Sequence, residues 1–135
     1  MFTLDSCLEK SSFKILDLPL SEVRLKNNHY FLWLVLVPRV SSVITEICDL
    51  SSIEQKILMD EIINVSRAIR TLISPDKINI GALGNLISQL HIHVIARFKN
   101  DLCWPHSVWQ ENAPEKSYSI DEKNQLINQL VAMLS

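Results

Sequence analysis

Polar and apolar residues alternate strictly from Gln89 to Val94 within the run Gln89-Leu90-His91-Ile92-His93-Val94-Ile95-Ala96-Arg97. This is the period of a β-strand, whose successive side chains point to opposite faces. The pattern predicts Leu90, Ile92, Val94, Ala96 and Phe98 against a core. Gln89, His91, His93 and Arg97 then share the other face with Ile95, each about 6.6–7 Å along the strand from the next of its set. Four further strands are expected. Phe13 to Leu18 is a short one closed by Pro19, and Glu22 to Lys26 alternates as a half-exposed strand does. Asn27-Asn28 is turn chemistry, since Asn tolerates positive φ and bonds its own backbone. Phe31 to Val37 follows, apolar throughout, and reads as the second strand of a hairpin, central and buried on both faces. Lys77 to Leu83 should lead through the Gly84-Asn85 loop into the histidine strand.

Between Leu50 and Ile73 the period becomes that of a helix. Leu50, Ile53, Ile57, Leu58, Ile62, Val65, Ile69 and Leu72 recur at three- and four-residue steps. Ser51 with Glu54 is a capping-box start, and Ser74-Pro75 supplies the stop. A last helix, about 119–134, opens on a second such box (Ser119, Glu122) and carries the stripe Leu126, Ile127, Leu130, Val131 and Leu134. No repeat or linker interrupts the chain, so residues 1–135 are expected to form a single domain. The order of elements predicts an α+β fold: a mostly antiparallel sheet of about five strands, with a long central helix and a C-terminal helix on one face. The histidine row would open on the other.

Composition narrows the partners. A chain of 135 residues with 47% hydrophobic residues and only two glycines is a folded globule of one-domain size. Its net charge of −2 gives no general attraction to nucleic acid or anionic membrane, so any phosphate binding must be local. The longest apolar run, Tyr30 to Pro38, is too short to span a bilayer. Three unclustered cysteines (Cys7, Cys48, Cys103) and an amino end without a signal-peptide pattern lead to the expectation of a cytoplasmic protein with reduced thiols.

Two imidazoles, an amide and a guanidinium in one row suit phosphate chemistry or a metal. Taken alone, His91-x-His93 is open to structural, metal-binding and catalytic readings. Zinc held by both rings would need His106, Cys103 or His29 as a third ligand, and none has a committing local spacing. Leu25, Leu32 and Trp33 are candidates for an apolar slot for a base. Trp104, His106 and Trp109 read as a tail packed over the sheet edge, with direct substrate contact as the alternative.

Gln89-Leu-His91-Ile-His93-Val-Ile resembles the histidine-triad (HIT) signature, His-φ-His-φ-His-φ-φ with φ apolar, with Gln89 at the first histidine. Leu34-Val-Leu-Val-Pro38-Arg39 is similar to the family's strand before its long helix. Asn79 and the Gly84-Asn85 loop are similar to its phosphate-contacting segment, and Arg97 with Trp104-Pro105 to its tail. Together these cover about residues 20–110. The resemblance implies a nucleotide hydrolase or transferase acting on dinucleoside polyphosphates, phosphoramidates or related esters. It further implies a homodimer and chemistry that needs neither metal nor cofactor.

In that mechanism His91 attacks the α-phosphorus, and water resolves the nucleotidyl-histidine. His93 would help to hold His91 in the attacking tautomer. Asn85, backbone N–H groups near Gly84, Gln89 and Arg97 are the available donors for phosphate oxygens. Arg97 is equally readable as an exposed strand-end charge, and Asn27 and Asn28 as either ribose contacts or turn residues. Asn79 is expected across from His91 and on its face if the connecting loop has an odd number of residues. Gln89 donates hydrogen bonds but does not exchange protons near neutral pH. That favours polyphosphate leaving groups, with a nucleotide binder of little turnover as the alternative.

Overall fold

The computed structural model describes all 135 residues. Strands β1 (Ser12–Asp17), β2 (Ser21–Lys26), β3 (Trp33–Pro38), β4 (Lys77–Gly81) and β5 (Ile92–Arg97) form one sheet in the order β1-β2-β3-β5-β4. Every neighbouring pair is antiparallel, so the fold is α+β, as expected. Helices α1 (Ser6–Ser11), α2 (Ser52–Ile73) and α3 (Ile120–Leu134) complete it, with a short 3-10 turn at Ile47–Asp49.

Both predicted capping boxes form. Ser51 and Ser119 accept from the amides of Glu54 and Glu122, whose carboxylates bond back to the cap amides. The apolar stripes of α2 and α3 pack with Val23, Leu25, Leu34, Leu36, Ile92, Val94 and Ala96 in the larger core. Ile53 is the exception to the α2 stripe: it is 71% exposed at the first turn. No helix is long and apolar enough to cross a membrane.

The other face of the sheet is not bare. A second core of Leu8, Phe31, Trp33, Val35, Val37, Ile95, Cys103 and Val108 lies on it, roofed by α1 and the tail after β5. This corrects the reading of β2 as half-exposed, because five of its six residues are buried. Glu22 and Arg24 go under this layer as a pair, Arg24 Nη1 donating to Glu22 Oε2 at 2.6 Å. Arg24 also donates to the hydroxyl and carbonyl of Ser12. Burial is tolerable there because the charges and donors are matched.

Arg97 is neither an exposed strand-end charge nor free for phosphate. It is 1% exposed and donates from Nε and Nη2 to the Asp101 carboxylate at 2.8 and 3.1 Å. Nη1 reaches Asn79 Oδ1, and Nη2 also reaches the His106 carbonyl. The guanidinium lies 5.8 Å from the rings of both Phe31 and Trp104. Burial pushes the Asp101 carboxyl up. Arg97 and the backbone amides of Phe98, Cys103 and Trp104 outweigh that and hold it at about 2.

This node pins the tail to the end of β5. Arg97→Leu strands a buried carboxylate and should cost about 3–5 kcal/mol in denaturant unfolding. A carboxylate with a depressed pKa stabilises fully above its unfolded value, about 3.9. The contribution of Asp101 should therefore hold down to about pH 4 and disappear as pH falls through about 2, read from the unfolding midpoint against pH.

Candidate active site

The chain bends at Gln89 and enters β5 only at Ile92, so His91 stands one residue ahead of the hydrogen-bonded ladder. The predicted strand was three residues too long at this end. The bend sets the ring of His91 against the backbone two residues back, with Nδ1 2.7 Å from the Gln89 carbonyl oxygen. A carbonyl only accepts, so Nδ1 carries the proton and the neutral ring keeps its lone pair on Nε2. Although His91 is only 4% exposed, it lines a pocket of about 710 Å³.

His93 is committed in the opposite sense. The Trp33 indole N–H donates to His93 Nδ1 at 2.8 Å, so in the neutral ring the proton sits on Nε2. The two imidazoles meet edge to face, with centroids 4.9 Å apart. Burial, then the His91 ring and the Lys26 ammonium, push the His93 pKa down to about 3. A lone pair on one ring and an N–H on the next suit attack at phosphorus with support for its oxygens.

Phe31, Trp33, Leu83, Ile87, Val108 and Trp109 supply apolar wall, the kind of surface that takes a flat base. Lys26 is the pocket's one lysine or arginine, and its Nζ lies 5.5 Å over the Trp33 ring. Trp109 stands edge-on to His93, with centroids 5.4 Å apart. It reaches that place over Gly81, which pairs with His93 across the sheet. A Cβ on Gly81 would come within 2.8 Å of Trp109 Cη2.

Of the residues singled out from sequence, His91, His93, Gly84, Asn85, Asn28, Trp33 and Trp109 come together around this pocket. Asn79, Arg97, Gln89 and Asn27 are outside its lining. The β4–β5 connection has the expected odd parity, since residues 82–92 separate the paired Gly81 and His93. It is much longer than a turn, however, and Asn79 pairs with Ile95 in place of His91. That is about 13 Å farther along the strand. Asn27 Oδ1 accepts from the Tyr118 amide, and its neighbour Asn28 faces the pocket.

Gln89 is anchored away from the site. Its Oε1 accepts from the Asp5 amide at 2.9 Å, and its Nε2 donates to the Thr3 carbonyl at 2.8 Å. What it offers His91 is its backbone oxygen. Lys26, Phe31 and Val108 were not foreseen as pocket residues. Gly81, one of two glycines and set inside a strand pattern, was the available sign of a close approach. No group of three or more His, Cys, Asp or Glu side chains is placed to hold a metal ion. His29 instead pairs with Glu122 at 2.9 Å.

Comparison with known proteins agrees with this geometry. The family model described as "HIT domain" matches residues 8–100. The chain belongs to the histidine-triad (HIT) family. A histidine triad protein from Bradyrhizobium japonicum is 40% identical, with a TM-score of 0.95, covering 99% of this chain and 98% of its own. One from Sinorhizobium meliloti is 36% identical (TM-score 0.94; 99% and 98% covered), and one from Marinobacter aquaeolei 35% (0.94; 99% and 96%). Among curated proteins none matches significantly. Membership in the HIT family points to a nucleotide-binding hydrolase or transferase.

Gln89→Ala leaves the Asp5 amide and the Thr3 carbonyl without their partners, at a cost of about 1–3 kcal/mol. Hydrogen exchange at the Asp5 amide should accelerate. Unchanged exchange there would show that the side chain does not hold the amino-terminal segment.

Proposed function

We propose that this HIT protein cleaves at the α-phosphate of dinucleoside polyphosphates or related nucleotidyl substrates, through a nucleotidyl-histidine intermediate on His91. The observation that carries the reading is the bond between His91 Nδ1 and the Gln89 carbonyl, which leaves the lone pair on Nε2 of a ring that lines the pocket. In the first step the Nε2–phosphorus bond forms and the bond to the leaving oxygen breaks, with the electron pair leaving on that oxygen. In the second, water adds to phosphorus, the Nε2–phosphorus bond breaks, and the nucleoside monophosphate departs with a proton lost to solvent. Asn85, the backbone near Gly84 and Lys26 line the pocket that would receive the phosphates.

The leaving group follows from what surrounds His91. Gln89 has both amide atoms occupied, and His93 is held neutral, so neither readily supplies a proton to a departing amine or alkoxide. A polyphosphate leaves as an anion and needs less help. The same shortage of proton donors favours a second reading, a nucleotide-binding module with little turnover.

The full reading includes a homodimer in the cytoplasm. The outer edge of β4 is unpaired and carries Ile80, 51% exposed, which offers a surface for a second copy.

The test compares wild type with His91→Ala on diadenosine tetraphosphate and on an adenosine phosphoramidate, with molar mass in solution measured on the same samples. The expected result is faster turnover of the tetraphosphate, a loss of roughly 10³-fold or more in the variant, and a mass twice that of the chain. Turnover that survives in the variant removes His91 as nucleophile. Binding without turnover in wild type leaves the module reading, and a monomeric mass removes the dimer.

A further inference from the structure

His93 Nδ1 meets a partner that is neither water nor substrate. Trp33 lies on β3, opposite Ile95 and diagonal to His93 on the same sheet face. Trp33 is 8% exposed, set into the second core, with Lys26 above one side of the indole. The indole N–H is therefore directed by packing on both sides, and it has one acceptor, His93 Nδ1 at 2.8 Å.

We propose that Trp33 is a positioning residue for nucleotidyl transfer, fixing His93 in the Nε2–H tautomer so that it presents a neutral N–H donor to the phosphate. The proposal rests on the reading of His91 as nucleophile. Its physical basis is that indole only donates. With the proton on Nδ1, the two N–H groups would point at each other, and an Nε2 lone pair would face the oxygens of an anionic substrate. Protonation of His93 meets the same clash, because the imidazolium carries a hydrogen on Nδ1.

The charges around His93 act in the same direction. Lys26 from β2 and His91 on the same chain segment both disfavour a positive ring. Neither Val35 on β3 nor Gly81 on β4, its two cross-strand partners, is titratable. Glu111 and Glu115 line the pocket from the tail but are exposed to solvent. Trp33 thus turns His93 into a donor whose strength does not change across the working pH range. The reacting phosphate meets one lone pair and one N–H at adjacent rings.

The experiment is histidine-selective 15N–1H NMR on wild type and on Trp33→Phe, with pH–rate profiles on the same two proteins. In wild type His93 should show protonated Nε2 and bare Nδ1, with no titration between pH 5 and 8. Trp33→Phe should mix the tautomers of His93 and raise its titration, still held below the ordinary value by burial, His91 and Lys26, so that any acid limb of the rate profile moves upward in pH. It should also lower kcat by roughly 10–100-fold, the worth of one hydrogen bond to a charged group.

Wild-type His93 with Nδ1–H, or titrating near pH 6.5, overturns the proposal even if the variant fails to fold. A Trp33→Phe protein with unaltered His93 signals overturns it while leaving His91 as nucleophile. A variant in which the His93 signals change and the rate does not also overturns it. Absence of turnover in wild type contradicts the His91 reading instead, and the NMR arm separates that failure from this one.

Discussion

Each of the two pocket histidines has its Nδ1 tied to the protein, and the two ties have opposite polarity. The Gln89 carbonyl accepts from His91, and the Trp33 indole donates to His93. An imidazole free to exchange tautomers would present a lone pair or an N–H at random to anything bound beside it. Here the choice is made by the Gln89 carbonyl and the Trp33 indole. A bend in the backbone supplies one and a buried indole the other. The arrangement of the pocket depends on these two bonds, because they decide which nitrogen is bare and which is a donor.

The remainder of the fold keeps those partners in place. β5 has one face in the main core, where Ile92, Val94 and Ala96 meet the helices. Its other face carries His93, Ile95 and Arg97 under a thinner layer built from α1 and the tail. Arg97 and Asp101 fasten the tail at the far end of the strand, and Gln89 fastens the amino-terminal segment at the near end. Between the two fastenings the layer leaves an opening, and Trp109 passes over Gly81 to form one side of it. Two polar residues of the histidine row are thus structural pins, and the two histidines between them line the pocket.

Strict alternation located the histidine face, and the helix periods and capping boxes located α2 and α3, because each signal is local and repeats. Alternation says which face a side chain takes but not what covers that face. Arg97 and Asn79 were on the expected side, yet a non-periodic tail closed over them. Glu22 and Arg24 were assigned to solvent for the same reason, since α1, only six residues long, is too short to announce itself by period. Asn79 also depended on loop length, and Gly84-Asn85 was a small part of a longer connection. Trp33 was legible as apolar surface but not as a donor, because the direction of its N–H depends on packing between β2, β3 and β5.

The account is tested most directly by stopping a reaction with diadenosine tetraphosphate in its early phase, in alkali, and mapping the protein by mass spectrometry. Alkali preserves a phosphorus–nitrogen bond. A nucleotidyl group localised by peptide fragmentation to His91 itself, and discharged when that bond is hydrolysed in mild acid, is the predicted result. An adduct on His93 or on another residue, or turnover with no adduct at any time, would contradict it.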